Sequence, residues 1–410
     1  MNSPDPHNCS NKALIVSGLR TPVGRYGGQL SSIRPDDLAA HAIKAVVEDA
    51  GIDPAVVDEV IIGNANGAGE ENRNVARMAW LINGYPDTVP GITVNRLCAS
   101  SMSAIALATA LVESGQAEVV VAGGVESMSR APWVMEKPDK AFGRPGEVFD
   151  TSIGWRFINP AFKEREKFTY SMPETAEEVA NRFDISREDA DHFAYVSHQR
   201  AIKAIGEGRF NAEITPVTVT DRKGNKTVID TDEGPRPDTS MEVLAKLRPV
   251  TSLGGVTTAG NASSLNDGAS AVIIASPAAV EKYQLKPRAR VMANAAVGVT
   301  PEIMGTGPVP ATRKVLEATG WDLDEVDAIE LNEAFASQSL ACIRELGLDT
   351  EKTNAWGGAI ALGHPLGSSG ARITITLLNR LEQQGGTKGI ATMCVGVGQG
   401  TAIALERVEG

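Results

Sequence analysis

Apolar positions from Asp36 to Ala50 fall at Leu38, Ala39, Ala42, Ile43, Val46, Val47 and Ala50, the spacing of a helix with one buried face. Gly51 ends it. The unbroken apolar run Val60-Ile61-Ile62 reads as a buried strand stopping at Gly63-Asn64, and helical spacing resumes from Val75 to Ile82. Ile92-Thr93-Val94 then reads as a short strand, residues 100 to 114 as an Ala-rich helix, and Val119-Val120-Val121 as another strand. Strands alternating with helices of this length predict an α/β protein whose sheet is predominantly parallel and covered on both faces.

The order recurs. Ala50-Gly51-Ile52-Asp53 followed by Val57-Asp58-Glu59-Val60-Ile61-Ile62-Gly63-Asn64 is echoed by Thr319-Gly320-Trp321-Asp322 followed by Asp324-Glu325-Val326-Asp327-Ala328-Ile329-Glu330-Leu331-Asn332. Two copies of one unit are expected, although helix-Gly-Asp-strand is also a generic connector. In that alignment the strand leading to Cys98 corresponds to the one leading toward His364, and Val119 to Met128 corresponds to Ile390 to Gly400. Between the copies the periodicity breaks. Glu174 to Phe183 and Arg187 to Ile205 remain helical in pattern, whereas Asp230 to Asp238 is a loop rich in Pro and acid. A long insertion after a sheet strand commonly covers a ligand. The expected division is therefore 1–124 for the first part of the N-terminal half, 125–255 for a loop or lid domain, 256–280 for a return strand, and 281–410 for the C-terminal half.

Charge and composition narrow the function classes. A net charge of -12 over 410 residues argues against bulk attraction to nucleic acid or to an anionic membrane, so an anionic ligand must be held locally. The four cysteines, Cys9, Cys98, Cys342 and Cys394, stand at no metal-ligand spacing, and so few in so long a chain suggest a reducing compartment. Neither Met1-Asn2-Ser3-Pro4-Asp5-Pro6 nor Val408-Glu409-Gly410 carries an evident address, which makes the cytoplasm the default. The 41 glycines invite a dinucleotide site, but no strand runs into Gly-x-Gly-x-x-Gly with a ribose-binding acid beyond it.

Cys98 lies where an apolar strand gives way to a helix, and N–H groups at a helix start favour a thiolate. Alone it could equally be a buried small hydrophobe. Three further polar stations stand in Gly-rich turns: Asn332 in Asn332-Glu333-Ala334-Phe335-Ala336, His364 in Gly363-His364-Pro365-Leu366-Gly367, and Cys394 in Cys394-Val395-Gly396-Val397-Gly398. A thiol nucleophile needs a base of near-neutral pKa, which His supplies, and a second thiol can move a proton to or from carbon. Each has a plainer reading: Asn332 as cap of a helix from Glu333, His364 as a loop histidine, Cys394 as a core thiol. Together they read as one site.

Those motifs, with Arg20-Thr21-Pro22-Val23-Gly24, Ala122-Gly123-Gly124-Val125-Glu126-Ser127-Met128-Ser129, Met172-Pro173-Glu174-Thr175-Ala176-Glu177 and Thr258-Ala259-Gly260-Asn261-Ala262-Ser263, make the chain resemble the thiolases nearly end to end. The resemblance implies two duplicated α/β halves packed as five layers, αβαβα, with an inserted loop domain that holds coenzyme A. It implies an acyltransferase that cleaves a 3-oxoacyl-CoA with coenzyme A, or runs the reverse Claisen condensation, through an acyl group on Cys98. His364 is then the base and Cys394 the proton carrier at carbon. One oxyanion pocket belongs to His364 with an Asn332-held water, a second to the N–H groups of Cys98 and Gly396. Ser263, Met172 and Ser171 fall beside coenzyme A, which is a substrate; no resident cofactor or metal is implied.

Within the family, Ile153-Gly154-Trp155-Arg156-Phe157-Ile158-Asn159-Pro160 is similar to the 3-oxoadipyl-CoA thiolases of aromatic breakdown. Arg156 could bind a distal carboxylate bidentately, or equally make a surface or inter-subunit salt bridge. Ser171 stands where many biosynthetic thiolases carry His, and Ala99-Ser100-Ser101 departs from the commoner Gly-Ser-Gly, which leaves acyl specificity open, a fatty 3-oxoacyl-CoA and an acetoacetyl-CoA-forming biosynthetic activity included. A decarboxylating ketoacyl synthase would want His or Asn in place of Cys394, and a non-catalytic acyl- or lipid-binding member should lack one of the four stations. A homotetramer or homodimer is implied, with the sheet edge at Ile92 to Val94 as one candidate contact.

Overall fold

The computed structural model describes residues 12–252 and 255–408, so Cys9, the first eleven residues and the last two lie outside the described residues. In chain order the first half comprises β1 (Leu14–Arg20), α1 (Pro35–Ala50), β2 (Glu59–Gly63), α2 (Val75–Ile82), β3 (Gly91–Val94), α3 (Ser100–Glu113) and β4 (Val119–Ser127). After an excursion that contains α4 (Met172–Arg182) and α5 (Arg187–Gly206), the half is completed by β5 (Asn266–Ala275). The second half is β6 (Ala289–Gly298), α6 (Pro308–Thr319), β7 (Ala328–Leu331), α7 (Ala336–Leu346), α8 (Leu366–Gln384), β8 (Lys388–Val395) and β9 (Gln399–Arg407).

Pairing order along the sheet is β7-β8-β9-β6-β1-β5-β4-β2-β3, with Gly24–Arg25 added beside β5. In the first half the order by appearance is third, second, fourth, fifth, first. The second half repeats it, its third strand reduced to the single parallel bridge between Ile329 and Thr353. The halves join where β1 meets β6 at two residue pairs, Leu14 with Arg290 and Ile15 with Ala289.

The sheet is not predominantly parallel. Among the described strands β2/β3, β2/β4 and β7/β8 run parallel, whereas β4/β5, β5/β1, β1/β6, β6/β9 and β9/β8 are antiparallel. The cause is local in the second half, where β8 and β9 are joined by the tight turn Gly396-Val397-Gly398 and a short turn forces reversal. In the first half the excursion from Met128 to Leu265 returns the chain to the same end of the sheet that it left, with the same result.

Three apolar clusters define five layers. Residues of α1 and α2 pack on one face of the first sheet half, as Leu38, Ile43, Val46 and Trp80 do against Val60, Ile62, Val119 and Ile273. The second half is covered by Val309, Val315 and Cys342, from α6 and α7, against Ile329, Ile390 and Ala404. Between the two sheet halves lie α3 and α8, whose Met102, Ile105, Ile373 and Leu377 bury against both. Each such side chain contributes about 1.5–3 kcal/mol relative to exposure. This central layer holds two helices that begin at the chemistry, one just after Cys98 and one just after His364. Their starts are stitched together where Ala371 N–H donates to Ser101 Oγ at 2.9 Å.

The excursion is anchored by charge. Buried Arg20 donates to both oxygens of Asp232, at 2.7 and 2.9 Å, and to Glu213 at 2.7 Å. Removing one member of such a buried pair costs about 3–5 kcal/mol. Among the described residues no helix is long and apolar enough to cross a membrane.

Candidate active site

Past the end of β3, Asn95-Arg96 lead into one 3₁₀ turn, Leu97–Ala99, that runs straight into α3. Leu97 has φ of +48°, a conformation that costs a branched residue about 1–3 kcal/mol. Side chains hold it there: Leu97 N–H donates to Asn95 Oδ1 at 2.8 Å, and Ser100 Oγ accepts from Arg96 N–H while donating to the Leu97 carbonyl. The turn leaves Cys98 half-buried on the wall of a cavity of about 330 Å³. Burial pushes the Cys98 thiol up to about 11, against the pull of its own N–H and that of Gly396, and the Glu126 charge adds to the rise. The helix-start argument alone expects a lowered value; desolvation outweighs the donors.

His364 sits in a turn that only glycine allows. Gly363 has φ of +106°, and a Cβ there would lie 2.5 Å from the Asn266 side chain. That Asn266 instead accepts the His364 N–H at 2.9 Å. Nδ1 lies 2.6 Å from Ser369 Oγ, and the hydroxyl donates onward to the Pro365 carbonyl at 2.9 Å. Nδ1 therefore carries the proton and Nε2 is the acceptor, with Asn332 Nδ2 at 3.5 Å from it. Burial, reinforced by the Arg372 charge, pushes His364 down to about 3, so the imidazole is neutral at neutral pH.

Asn332 is fully buried just beyond β7, its N–H on the Thr392 carbonyl at 3.0 Å. It caps nothing: α7 begins at Ala336. Its Oδ1 accepts no hydrogen bond from any described residue. Cys394, one residue from the end of β8, packs with Ala176, Met304, Ala334 and Phe335, and Met172 and Ala262 touch that cluster. Burial raises the Cys394 thiol well above its ordinary range, and the Cys98 and Cys342 sulfurs are near enough to add to the rise.

The cavity at Cys98 is also lined by Gly396, Met172, Ser171, Arg156 and Glu126. Val397, φ +61°, turns beside Gly396 as Leu97 does beside Cys98, so both N–H groups face the same sulfur from strained turns. Arg156 is half-buried, and its hydrogen-bond partner is the neutral amide oxygen of Asn66 at 3.3 Å. Ser263 lies elsewhere. Its N–H donates to the Ala334 carbonyl at 2.9 Å, and its neighbours Ala262 and Ser264 line a second cavity of about 330 Å³ with Arg25, His198 and Arg236. Burial, with the Arg236 and Arg25 charges, pushes His198 down to about 4.

Six residues of this arrangement escaped the sequence reading: Ser369, Asn266, Glu126, Arg25, His198 and Arg236. A hydroxyl five residues after His364, at the start of an apolar-faced helix, was the available signal for the first. For the others only spatial neighbours reveal the role.

A duplicated five-layer α/β scaffold that presents a thiol on a cavity of about 330 Å³, with a neutral imidazole and a second thiol beside it, is the setting of an acyltransferase. Residues 13–278 match the family described as thiolase, N-terminal domain, and residues 285–407 match thiolase, C-terminal domain; the chain belongs to the thiolase family. It is 57% identical over 402 residues to the beta-ketoadipyl-CoA thiolase of Pseudomonas aeruginosa, covering 97% of this chain and all of that one. Identity is 52% to the 3-oxoadipyl-CoA/3-oxo-5,6-dehydrosuberyl-CoA thiolase of Escherichia coli K12, with the same coverage. Among solved structures, human mitochondrial 3-ketoacyl-CoA thiolase in complex with CoA superimposes with a TM-score of 0.90 at 40% identity, over 97% of this chain and 98% of that one.

Proposed function

We propose that this thiolase cleaves 3-oxoadipyl-CoA with coenzyme A to acetyl-CoA and a four-carbon dicarboxylic acyl-CoA, through an acyl group carried on Cys98. The observation that carries the substrate is Arg156, a cation with no carboxylate partner among the described residues, on the wall of the cavity that holds Cys98. A guanidinium there can take the distal carboxylate of the acyl chain bidentately. Kinship with relatives named for that substrate supports the same reading.

The residues then divide the work. His364 Nε2, unprotonated and held by Ser369 at its other nitrogen, takes the Cys98 proton as sulfur attacks the 3-keto carbon. Neither ion is comfortable alone in this buried setting, so proton transfer accompanies attack rather than preceding it. The keto oxygen, becoming an anion, is received by the N–H groups of Cys98 and Gly396, each worth roughly 3 kcal/mol. Cleavage releases the enolate of acetyl-CoA, whose oxygen is met by His364 Nε2, now a donor, and by a water oriented on Asn332; Cys394 protonates its carbon. The imidazolium then passes its proton to the Cys394 thiolate, and coenzyme A thiol, giving its own proton to the freed His364, lifts the acyl group from Cys98, whose departing sulfur takes that proton back. Pantetheine runs past Met172, Ser171 and Ser263, and the phosphates fall to the cavity of Arg25, His198 and Arg236.

β3 is the outer strand of its half, and Ile92 on it is exposed together with Met78, Leu81 and Ile82 of α2. An unpaired edge with an apolar flank is a surface for a second copy of the chain, and we infer a homodimer or a tetramer built from it. The test of the function is a thiolysis panel on purified protein with 3-oxoadipyl-CoA, acetoacetyl-CoA and a longer 3-oxoacyl-CoA, with Cys98→Ser as control. The highest kcat/KM is expected for 3-oxoadipyl-CoA. Preference for acetoacetyl-CoA would reject the substrate assignment and keep the reaction.

A further inference from the structure

Glu126 is a buried carboxylate that the steps above do not use. It is the penultimate residue of β4 and lines the Cys98 cavity. Its Oε2 accepts the N–H of Ala65 at 2.9 Å and of Gly367 at 2.8 Å, and Asn64 Nδ2 stands 3.4 Å from Oε1. Gly367 is in the first turn of α8, whose N-cap residue Pro365 supplies no side-chain acceptor. The first N–H groups of a helix need acceptors from outside it, and the helix start favours an anion. Glu126, from the other half of the molecule, fills that need. The approach is tight: a Cβ on Gly367 would lie 2.5 Å from the Val125 carbonyl oxygen. The turn so clamped carries His364, whose ring is held by Ser369 of the same first turn.

Resting on the assignment of Cys98 as nucleophile, we propose that Glu126 is a positioning residue of the reaction: its one carboxylate ties the His364 turn to the N-terminal half and sets a negative charge before the Cys98 sulfur, so that the thiol ionises only by giving its proton to His364. The charge is graded by pH. Burial pushes Glu126 up to about 7, the Glu71 charge adds to the rise, and the N–H groups of Ala65, Gly367 and Asn66 oppose it. Among ionisable groups, Glu71 on the loop after β2 and Cys98 on the 3₁₀ turn are coupled to it, and Arg156 on the excursion lines the same cavity. Of these, Cys98 senses the charge directly, its thiol being raised in part by Glu126.

The test is alkylation of Cys98 by iodoacetamide from pH 5.5 to 9.5, read at the Cys98 peptide by mass spectrometry, in wild type, Glu126→Gln and Glu126→Ala. Gln keeps an acceptor for Gly367 and loses the charge. Its Cys98 should be alkylated faster than wild type by about 3- to 10-fold above pH 8, with the two profiles converging below pH 6, where wild-type Glu126 is itself protonated. Ala loses charge and tie together; it should share the fast alkylation and lose in addition about 10²-fold in kcat, beyond the loss in Gln. Profiles of Gln and wild type that superimpose across the range overturn the proposal, as does a kcat for Ala equal to that for Gln. Mass analysis of wild type quenched during turnover separates the two questions: no acyl group on Cys98 would reject the nucleophile, whereas acylation with superimposed alkylation profiles would reject only the role of Glu126.

Discussion

The two halves of this molecule share one strand order and put it to opposite electrostatic uses. In the N-terminal half the third strand, β3, runs directly into the turn that presents Cys98, half-exposed, to the cavity. In the C-terminal half the third strand shrinks to a single bridge at Thr353, and the chain takes a Gly-rich detour before delivering His364, almost wholly buried, to the start of α8. In the proposed mechanism the exposed member meets substrate, and the buried member stays neutral to accept a proton. Duplication thus supplied two equivalent helix starts, and burial differentiated them.

Breaking the exposed member should have the largest effect. Cys98→Ser is expected to lower thiolysis kcat on the order of 10⁴-fold, with no acyl-enzyme seen by mass spectrometry. The buried member follows: His364→Asn should cost about 10²–10⁴-fold in kcat, and the double variant should be no worse than Cys98→Ser alone, because the two act as one unit. Additive losses would show that the halves do not cooperate. Cys394→Ser is expected to abolish most exchange of the acetyl-CoA α-protons with deuterated water, by about 10²-fold or more, while Cys98 still acylates. Equal loss of exchange and acylation would reject its assignment to carbon.

Sharper and smaller is the effect on the cavity wall at Arg156. Arg156→Ala should lower kcat/KM for 3-oxoadipyl-CoA by about 10- to 10²-fold and leave acetoacetyl-CoA nearly untouched, since a charge-assisted hydrogen-bonded pair contributes about 1.5–3 kcal/mol. An equal loss on both substrates would refute recognition of the carboxylate. A separate effect, on stability rather than rate, comes from the buried imidazole. His364 is held down at about 3 in the fold and titrates near 6.5 when unfolded, so between those values the unfolded chain binds the extra proton. Its contribution is fully present above pH 6.5 and is lost as pH falls toward 3. Urea unfolding between pH 7 and 4 should be less pH-dependent in His364→Gln than in wild type; parallel curves would show that the ring titrates freely.

Helices with one apolar stripe were legible from local spacing: Asp36 to Ala50 is α1 less its first residue, and the pattern from Arg187 to Ile205 is α5 less its last. Sheet direction was legible only at the β8/β9 turn, because alternation of strands and helices constrains neighbours in sequence, while β1, β5 and β6 meet partners far along the chain. The thiol's electrostatics misled in the same way. Donors at a helix start are visible in Leu97-Cys98-Ala99, but the desolvation that outweighs them comes from packing against the opposite half. Glu126 was hidden for the plainest reason, since its partner Gly367 lies 241 residues away.

What the chain alone determined is the inventory and its local setting: two thiols, one imidazole and one amide, each at a turn whose glycines and small residues follow from backbone geometry. What only the tertiary structure decided is which protonation state each group holds and what it faces, because pKa and reach depend on burial and on neighbours that no linear spacing encodes. The neutral imidazole, the raised thiols and the carboxylate clasped to a distant helix start all arise where the two halves close on each other.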